Sequence, residues 1–358
     1  MKRFAAIIAG GAGERFWPVS RIARPKHLCD ITGAGTCLLE QTFRRLEKCV
    51  PAEHIFVVTN REQVAGIREA CPFIPAERIV AEPQGRDTLA AVALCALCAE
   101  NFAGESDAAL AVIPSDHVIR DTANFARTAG KAFDVAESGD FLVTVGIVPV
   151  RPATGFGYIQ AGAQFSAGEP PAFDVEQFHE KPDEETAKAY IARGNFFWNA
   201  GMFFWQTSAI RRAVARHAPQ CAAVFEKIRA EIAAGTPLAD ALAAHYAEIE
   251  KKSIDFAVME KADNVKVVPA TFDWDDVGTW PAVERHFAAD ACGNVCRGRV
   301  FADDSRGNLV FDASGRTTVL LGAENLIVVH TPDATLICDR AHAESLKALV
   351  RRLPPELR

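Results

Sequence analysis

A strand-like apolar run, Phe4 to Ala9, opens into Gly10-Gly11-Ala12-Gly13-Glu14-Arg15, and the same stretch continues through Phe16-Trp17-Pro18-Val19-Ser20-Arg21 to Pro25-Lys26. Glycines let backbone N–H groups approach an anion closely, and Arg15 and Lys26 add fixed positive charge, so the spacing suits a phosphate ligand. Neither familiar phosphate fingerprint is matched. Glu14-Arg15-Phe16 stands where a dinucleotide loop needs its third glycine, and the Gly-Lys-Ser/Thr of a Walker A loop is missing. A plain glycine turn between strand and helix is the alternative, against which the clustering of Arg15, Arg21, Arg24 and Lys26 weighs.

Two acidic segments suit a divalent cation. Asp116, in Ile113-Pro114-Ser115-Asp116-His117, follows the apolar run Ala108 to Val112 and therefore sits at a strand's C-terminal end, where open α/β sheets bind ligands. Magnesium takes hard oxygen donors and commonly only one or two carboxylates plus substrate phosphates, so Asp116 needs one distant partner. Asp273-Trp274-Asp275-Asp276 can supply it, or can be a solvated acidic loop; Trp274 and Trp280 on either side argue against simple solvation. Glu82-Pro83-Gln84-Gly85-Arg86-Asp87-Thr88 has the pattern of a strand end and a helix cap, with Asp87 or Thr88 as N-cap.

The elements that must position these groups alternate. Strands are expected near 4–9, 54–59, 78–81, 108–113 and 141–148, with helices near 37–48, 61–70, 88–101 and 122–138, a pattern that implies an α/β fold with a mostly parallel sheet. Glycine-punctuated strands follow between 150 and 206, helices return from 207 to 247, and a short helix lies near 281–289. Residues 294–338 then form short β-like segments at eight- to ten-residue spacing, a small solenoid or sandwich, closed by a helix from Ala341 to Leu353. The expected division is a domain over 1–290 and a tightly packed C-terminal domain over 291–358.

With 358 residues, 49% of them hydrophobic, the chain can bury a large core, and its net charge of −7 argues against a nucleic-acid partner. The cations near residues 15–26 must act locally, within a screening distance of about 8 Å. The apolar run after Met1-Lys2-Arg3 is too short for a signal peptide and no segment is long enough to span a membrane, so the expected location is a reducing cytoplasm. Cys95-Ala96-Leu97-Cys98 has zinc or redox spacing, but it lies in an alanine-rich helical pattern without a second ligand pair and is expected to pack as core.

The loop 10–26 resembles the signature of the mannose-1-phosphate guanylyltransferases, within the sugar-nucleotide pyrophosphorylases, with Phe16 in place of the usual leucine and His27 of the usual glutamine. Pro114-Ser115-Asp116-His117 and Asp276-Val277-Gly278-Thr279-Trp280 are similar to the family's metal-holding segments, with Thr279 replacing serine. The resemblance implies a Rossmann-like, GT-A-like nucleotidyltransferase domain with a left-handed β-helix-like tail. It also implies transfer from GTP to mannose 1-phosphate, with Mg²⁺ held by Asp116 and Asp276 and with Arg15 and Lys26 on the phosphates. It places Ala9, Gly10, Gly11, Gly13, Glu82, Arg86, Asp87 and Ser115 at the nucleotide, although asparagine is usual where Asp87 stands. Glu82 can accept from guanine N1 and N2, a pattern that adenine does not offer.

Three further segments carry the resemblance to the sugar side: Ala153-Thr154-Gly155-Phe156-Gly157, Phe178-His179-Glu180-Lys181 and Trp198-Asn199-Ala200-Gly201. Taken singly they read as strand irregularities and an exposed charge pair. The family assigns Gly157, Glu180 and Asn199 to sugar contacts and Lys181 to the sugar phosphate, while Ser253 to Lys261, with Phe256 for tyrosine, forms core and sugar-pocket wall. Dimerisation through the C-terminal region is a further implication. The same chemistry on a manno-heptose 1-phosphate or another triphosphate is an alternative, and a non-catalytic nucleotide-sugar sensor is another. Retention of Arg15, Lys26, Asp116 and Asp276 speaks against the sensor. A small-molecule kinase lacks its nucleotide loop here.

Overall fold

A computed structural model describes every residue from 1 to 358 except Ala12. Nine strands build one sheet: β1 Arg3–Ala9, β2 Ile55–Asn60, β3 Ile79–Glu82, β4 Ala109–Pro114, β5 Leu142–Ile147, β6 Tyr158–Ser166, β7 Ala172–His179, β8 Phe196–Gln206 and β9 Val265–Pro269. Their spatial order is β3-β2-β1-β4-β8-β5-β9-β7-β6. The pairing directions make seven of the nine run one way, with β7 and β8 against them, so the sheet is mostly parallel. Phe4, Ala5, Ala6 and Ile7 are wholly buried, which explains the unbroken apolar run: helices cover both faces of a parallel strand.

On one face lie α1 Leu38–Leu46, α2 Val64–Ala70 and, after α3, α4 Thr122–Glu137; on the other lies α3 Asp87–Ala103. Cys95 and Cys98 are buried within α3, as expected of apolar packing, and all ten cysteines are free. After α5 Glu184–Arg193, the expected helical stretch divides into α6 Thr207–His217, α7 Pro219–Ala233 and α8 Leu238–His245. Pro219 begins α7 because proline fits the first helical turn and cannot continue α6.

Short helix α9 Trp280–Val283 leads to the C-terminal β-rich domain: β10 Val295–Arg297, β11 Arg299–Asp303, β12 Leu309–Asp312, β13 Thr317–Leu321, β14 Leu326–His330 and β15 Thr335–Asp339. Parallel stacking of β10, β12 and β14, and of β11 on β13, makes a solenoid and excludes a sandwich. Buried Asn294 and Asn308 form an internal ladder, Asn308 Nδ2 donating to Asn294 Oδ1 at 2.9 Å. The single terminal helix expected over 341–353 instead begins as a 3₁₀ segment, Arg340–Ser345, capped by Asp339, and becomes α-helical only at α10, Leu346–Val350. Leu346 and Val350 of α10 pack in one cluster with Phe16, Trp17, Val277, Trp280 and Phe311, so the solenoid holds the glycine loop from outside.

Candidate active site

Gly13 adopts φ +63°, and a Cβ there would lie 2.6 Å from the backbone nitrogen of Lys26. Only glycine can turn left-handed and also press this closely on the chain that carries the cation. Lys26 is 5% exposed, and its Nζ donates to Asp116 Oδ2 at 2.9 Å and to the backbone oxygen of Asp276 at 2.5 Å. Burial alone would raise the Asp116 carboxyl, but the Lys26 ammonium outweighs it and holds the group down at about 2. Asp276 moves the other way: burial raises its pKa against the pull of Lys26, with Asp275 and Asp116 adding to the rise.

The acidic cluster 273–276 is sorted by its partners. Asp273 accepts from the backbone of Arg120 and, at 2.7 Å, of Asp121. Asp275 accepts from Arg285 Nη2 at 2.5 Å, Arg285 Nε at 2.6 Å and the Val277 amide at 2.8 Å. Burial opposes ionisation of Asp275, yet His286, Arg285 and that amide hold it well below the usual carboxylate range. A two-way bridge between Val118 and Asp275, at 2.8 and 3.0 Å, then ties the Asp116 strand end to this loop. Wholly buried Val277, strained at φ 40°, makes the turn beside Asp276. Among the described residues no donor meets Asp116 Oδ1 or either carboxylate oxygen of Asp276.

Two adjoining cavities share Gly11, Gly13, Lys26 and Asp116. The larger, about 430 Å³, runs from Gly10 to Glu82, Asp87, Ser115 and Asp255. Glu82 is 5% exposed and accepts from the Tyr246 hydroxyl through Oε1, while Gly10 faces Oε2. Burial pushes the Glu82 carboxyl up to about 7, although the Tyr246 hydrogen bond opposes the rise. The smaller cavity, about 360 Å³, is lined by Arg15, Lys26, Asp116, Asp276, His117 and Lys347 among others. His117 Nδ1 accepts from Trp274 Nε1 at 3.1 Å, and burial takes its pKa down to about 4, so the ring is neutral.

The residues expected at the sugar are not among the described lining of either cavity and join the larger one only through Asp255. A Cβ on Gly157 would stand 2.5 Å from Glu180 Oε2, so glycine makes room for that carboxylate. Lys181 Nζ donates to Glu180 Oε1 at 2.6 Å. Asn199 Nδ2 donates to Asp255 Oδ1 at 2.9 Å, and Asn199 Oδ1 accepts from Thr144 Oγ1 at 3.1 Å and the Gly201 amide at 3.2 Å. Asp255 begins a π-helical turn, Asp255–Met259, and burial, with Glu180 nearby, raises its carboxyl to about 7.

Residues 4–291 match the family model described as nucleotidyl transferase, and residues 298–353 match the MannoseP isomerase/GMP-like beta-helix domain. Mannose-1-phosphate guanylyltransferase of Escherichia coli K12 is 36% identical over 98% of this chain and 73% of its own length. The chain belongs to the mannose-1-phosphate guanylyltransferase family. Alginate biosynthesis protein AlgA of Pseudomonas aeruginosa is 34% identical over 97% of this chain and 71% of its own. A crystal structure of mannose-1-phosphate geranyltransferase from Thermus thermophilus is 35% identical, covers 98% of this chain and 99% of its own, and superposes with a TM-score of 0.84.

As a nucleotidyl transferase the chain is an enzyme of a group that generally uses a divalent metal. No cluster of three or more His, Cys, Asp or Glu side chains suited to a metal occurs among the described residues. Two carboxylates with unpartnered oxygens, completed by substrate oxygens, are a donor set that fits a hard cation. The fold therefore gathers Gly10, Gly11, Gly13, Lys26, Glu82, Asp87, Ser115 and Asp116 around one cavity and Arg15 and Asp276 around its neighbour. Ala9 is wholly buried in β1, its carbonyl accepting from Thr59 Oγ1 at 2.7 Å. Arg86 turns away, donating to the Ala247 carbonyl at 2.5 Å. Arg21 is likewise withdrawn, paired with Asp333 at 2.9 Å. Helix α3 has Arg86 as its N-cap with Asp87, at φ 66°, as its first residue, so neither expected cap applies. Tyr246 bears no sequence signal; Asp255 belongs to the segment Ser253 to Lys261 expected as core and sugar-pocket wall, and a lone acid before the apolar run Phe256-Ala257-Val258-Met259 distinguishes it there.

Proposed function

We propose that this chain transfers the guanylyl group of GTP to α-D-mannose 1-phosphate, giving GDP-mannose and pyrophosphate. The observation that carries this is the convergence of Asp116 and the Asp276 backbone on Lys26, beside a cavity lined by both Glu82 and Asp255, the latter held by Asn199. A sugar phosphate is largely dianionic at neutral pH, so its oxygen attacks the α-phosphorus without a general base. Neutral His27 and His117 are consistent with that. Lys26 fixes Asp116 and presents a charge at the reacting phosphoryl, Arg15 meets the outer phosphates, and the glycine loop supplies backbone donors. Magnesium held by Asp116 and Asp276 would neutralise charge on both substrates. Glu180 and the remaining Asn199 N–H orient sugar hydroxyls, with Lys181 at the sugar phosphate.

Pyrophosphate release measured over a panel of triphosphates and sugar 1-phosphates, including a manno-heptose 1-phosphate, tests the reading. GTP with mannose 1-phosphate is expected to exceed ATP by roughly 10²-fold or more in kcat/KM, because a hydrogen-bonding site rejects a base that leaves it unpaired. Equal rates with all triphosphates would remove the base assignment, and no release with any would favour a sensor.

Glu82 gives this reading a pH signature. Its carboxyl is neutral below about 7 and ionised above, and only the ionised form accepts from both guanine N1 and N2. GTP affinity relative to a Glu82→Gln variant should rise between pH 6 and 8, and Tyr246→Phe should move that rise to higher pH. Titration calorimetry at each pH checks it; a parental profile in Glu82→Gln contradicts it.

We also propose the division near residue 290 and dimerisation through the solenoid. Exposed Phe301, Val319 and Leu321 on β11 and β13 support the dimer, which light scattering of the full chain and of a Phe301→Glu, Val319→Glu variant tests. No helix among the described residues is long and apolar enough to cross a membrane. A cytoplasmic location and the lack of nucleic-acid partners are supported by the ten unpaired cysteines and the net charge of −7, and fractionation of the source cells tests the first.

A further inference from the structure

We infer that Lys347, on the C-terminal helix α10, is a triphosphate-binding residue that delivers a cation to the pyrophosphate end of the cavity. The inference rests on the reading of that cavity given above. Lys347 lines the smaller cavity with Arg15 and Lys26 but does not border the larger one that ends at Glu82, so it sits at the end away from the base. The described lining of the smaller cavity holds three cations, Arg15, Lys26 and Lys347, against three acids, Glu14, Asp116 and Asp276. With Glu14 paired to Arg351, Lys347 is the charge that turns this lining from neutral to net positive, the sign that suits a ligand that remains anionic even with a bound divalent cation.

The ion pairs around Lys347 leave it available. Lys26 is committed to Asp116. Glu14 is satisfied by Arg351, whose Nε and Nη2 approach it at 3.1 and 3.2 Å. Lys347 Nζ lies 3.8 Å from Glu14, beyond hydrogen-bond reach, and its side chain is 44% exposed, so the flexible stem can swing to a phosphate. Its base, by contrast, is fixed. Leu346 and Val350 on either side are buried against Phe16 and Trp17, Trp17 Nε1 donates to the Leu357 carbonyl at 2.7 Å, and Arg21 holds Asp333. The solenoid thus contributes a functional group as well as support.

Steady-state kinetics of the full-length Lys347→Ala and Lys347→Arg variants, in both reaction directions, test this, with Arg15→Ala as reference. Lys347→Ala is expected to raise the KM for GTP and for pyrophosphate roughly tenfold, a typical loss for one charge-assisted phosphate contact. The KM for mannose 1-phosphate and Tm should stay near parental values, and Lys347→Arg should restore most of the loss. Parental KM values for pyrophosphate in Lys347→Ala, with Arg15→Ala impaired, would overturn the inference and leave the site reading standing. A uniform rise in all three KM values with a lowered Tm would also overturn it, by making the role structural. Unimpaired Arg15→Ala would instead overturn the reading of the cavity on which the inference rests.

Discussion

Asp116→Asn and Asp276→Asn are each expected to slow pyrophosphate release by roughly 10³-fold, with the double variant little slower than either single one, because groups that serve one ion act as a unit. Asparagine keeps the volume and one carbonyl oxygen, so the loss reports charge and coordination rather than a cavity. The two variants should differ in stability. Asp116 is the ionised partner of a buried lysine, and neutralising it leaves Lys26 with the Asp276 carbonyl but without that charge, at a cost on the order of 1 kcal/mol because the Asp116 side chain is partly exposed. Asp276 has its pKa raised by burial, so its charge costs the fold some stability, and Asp276→Asn should leave Tm near the parental value or slightly above it. Turnover, magnesium dependence and Tm measured together would show equal catalytic loss with unequal stability. Undiminished turnover in the double variant would refute the role of these carboxylates.

The chemistry-bearing residues were legible because they sit where local pattern is strong. Apolar runs ending in Gly10 and in Ser115-Asp116 announce parallel strands whose C-terminal ends meet, and pairing of β1 with β4 brings those ends side by side. Long-range pairing was less legible. Nothing local says that β8, late in the chain, inserts between β4 and β5 and carries Asn199 to the site. Charge-rich segments were ambiguous for the same reason: Arg21, Asp273 and Asp275 have the composition of ligand-binding residues, but their partners, Asp333, the backbone at 120–121 and Arg285, appear only in the fold. Tyr246 meets Glu82 across 164 positions, and Lys347 reaches the glycine loop through the packing of α10; neither bears a short-range pattern.

Lys26→Met is expected to cost roughly 10²–10³-fold in turnover, the scale of a removed preorganised electrostatic contact. Two effects combine. The ammonium no longer faces the reacting phosphoryl, and Asp116 and the Asp276 backbone lose the donor that joins them. The stability change carries a definite pH sign. Asp116 is held at about 2, below its unfolded value near 3.9, so the pair stabilises the fold above about pH 4 and its contribution fades as pH falls toward 2. Because the Asp116 side chain is 39% exposed, solvent screening reduces that contribution to the order of 1 kcal/mol. The Tm gap between Lys26→Met and the parent should therefore be widest near neutrality and close toward pH 2–3. Arginine should not substitute: its larger planar fork would have to fit where the buried, compact Nζ of Lys26 meets both Asp116 and the Asp276 carbonyl. A Tm gap that does not change with pH would mean that Lys26 stabilises by packing alone. Parental turnover in Lys26→Arg would show that any cation at this position suffices, and that its buried contacts with Asp116 and Asp276 do not set the catalytic geometry.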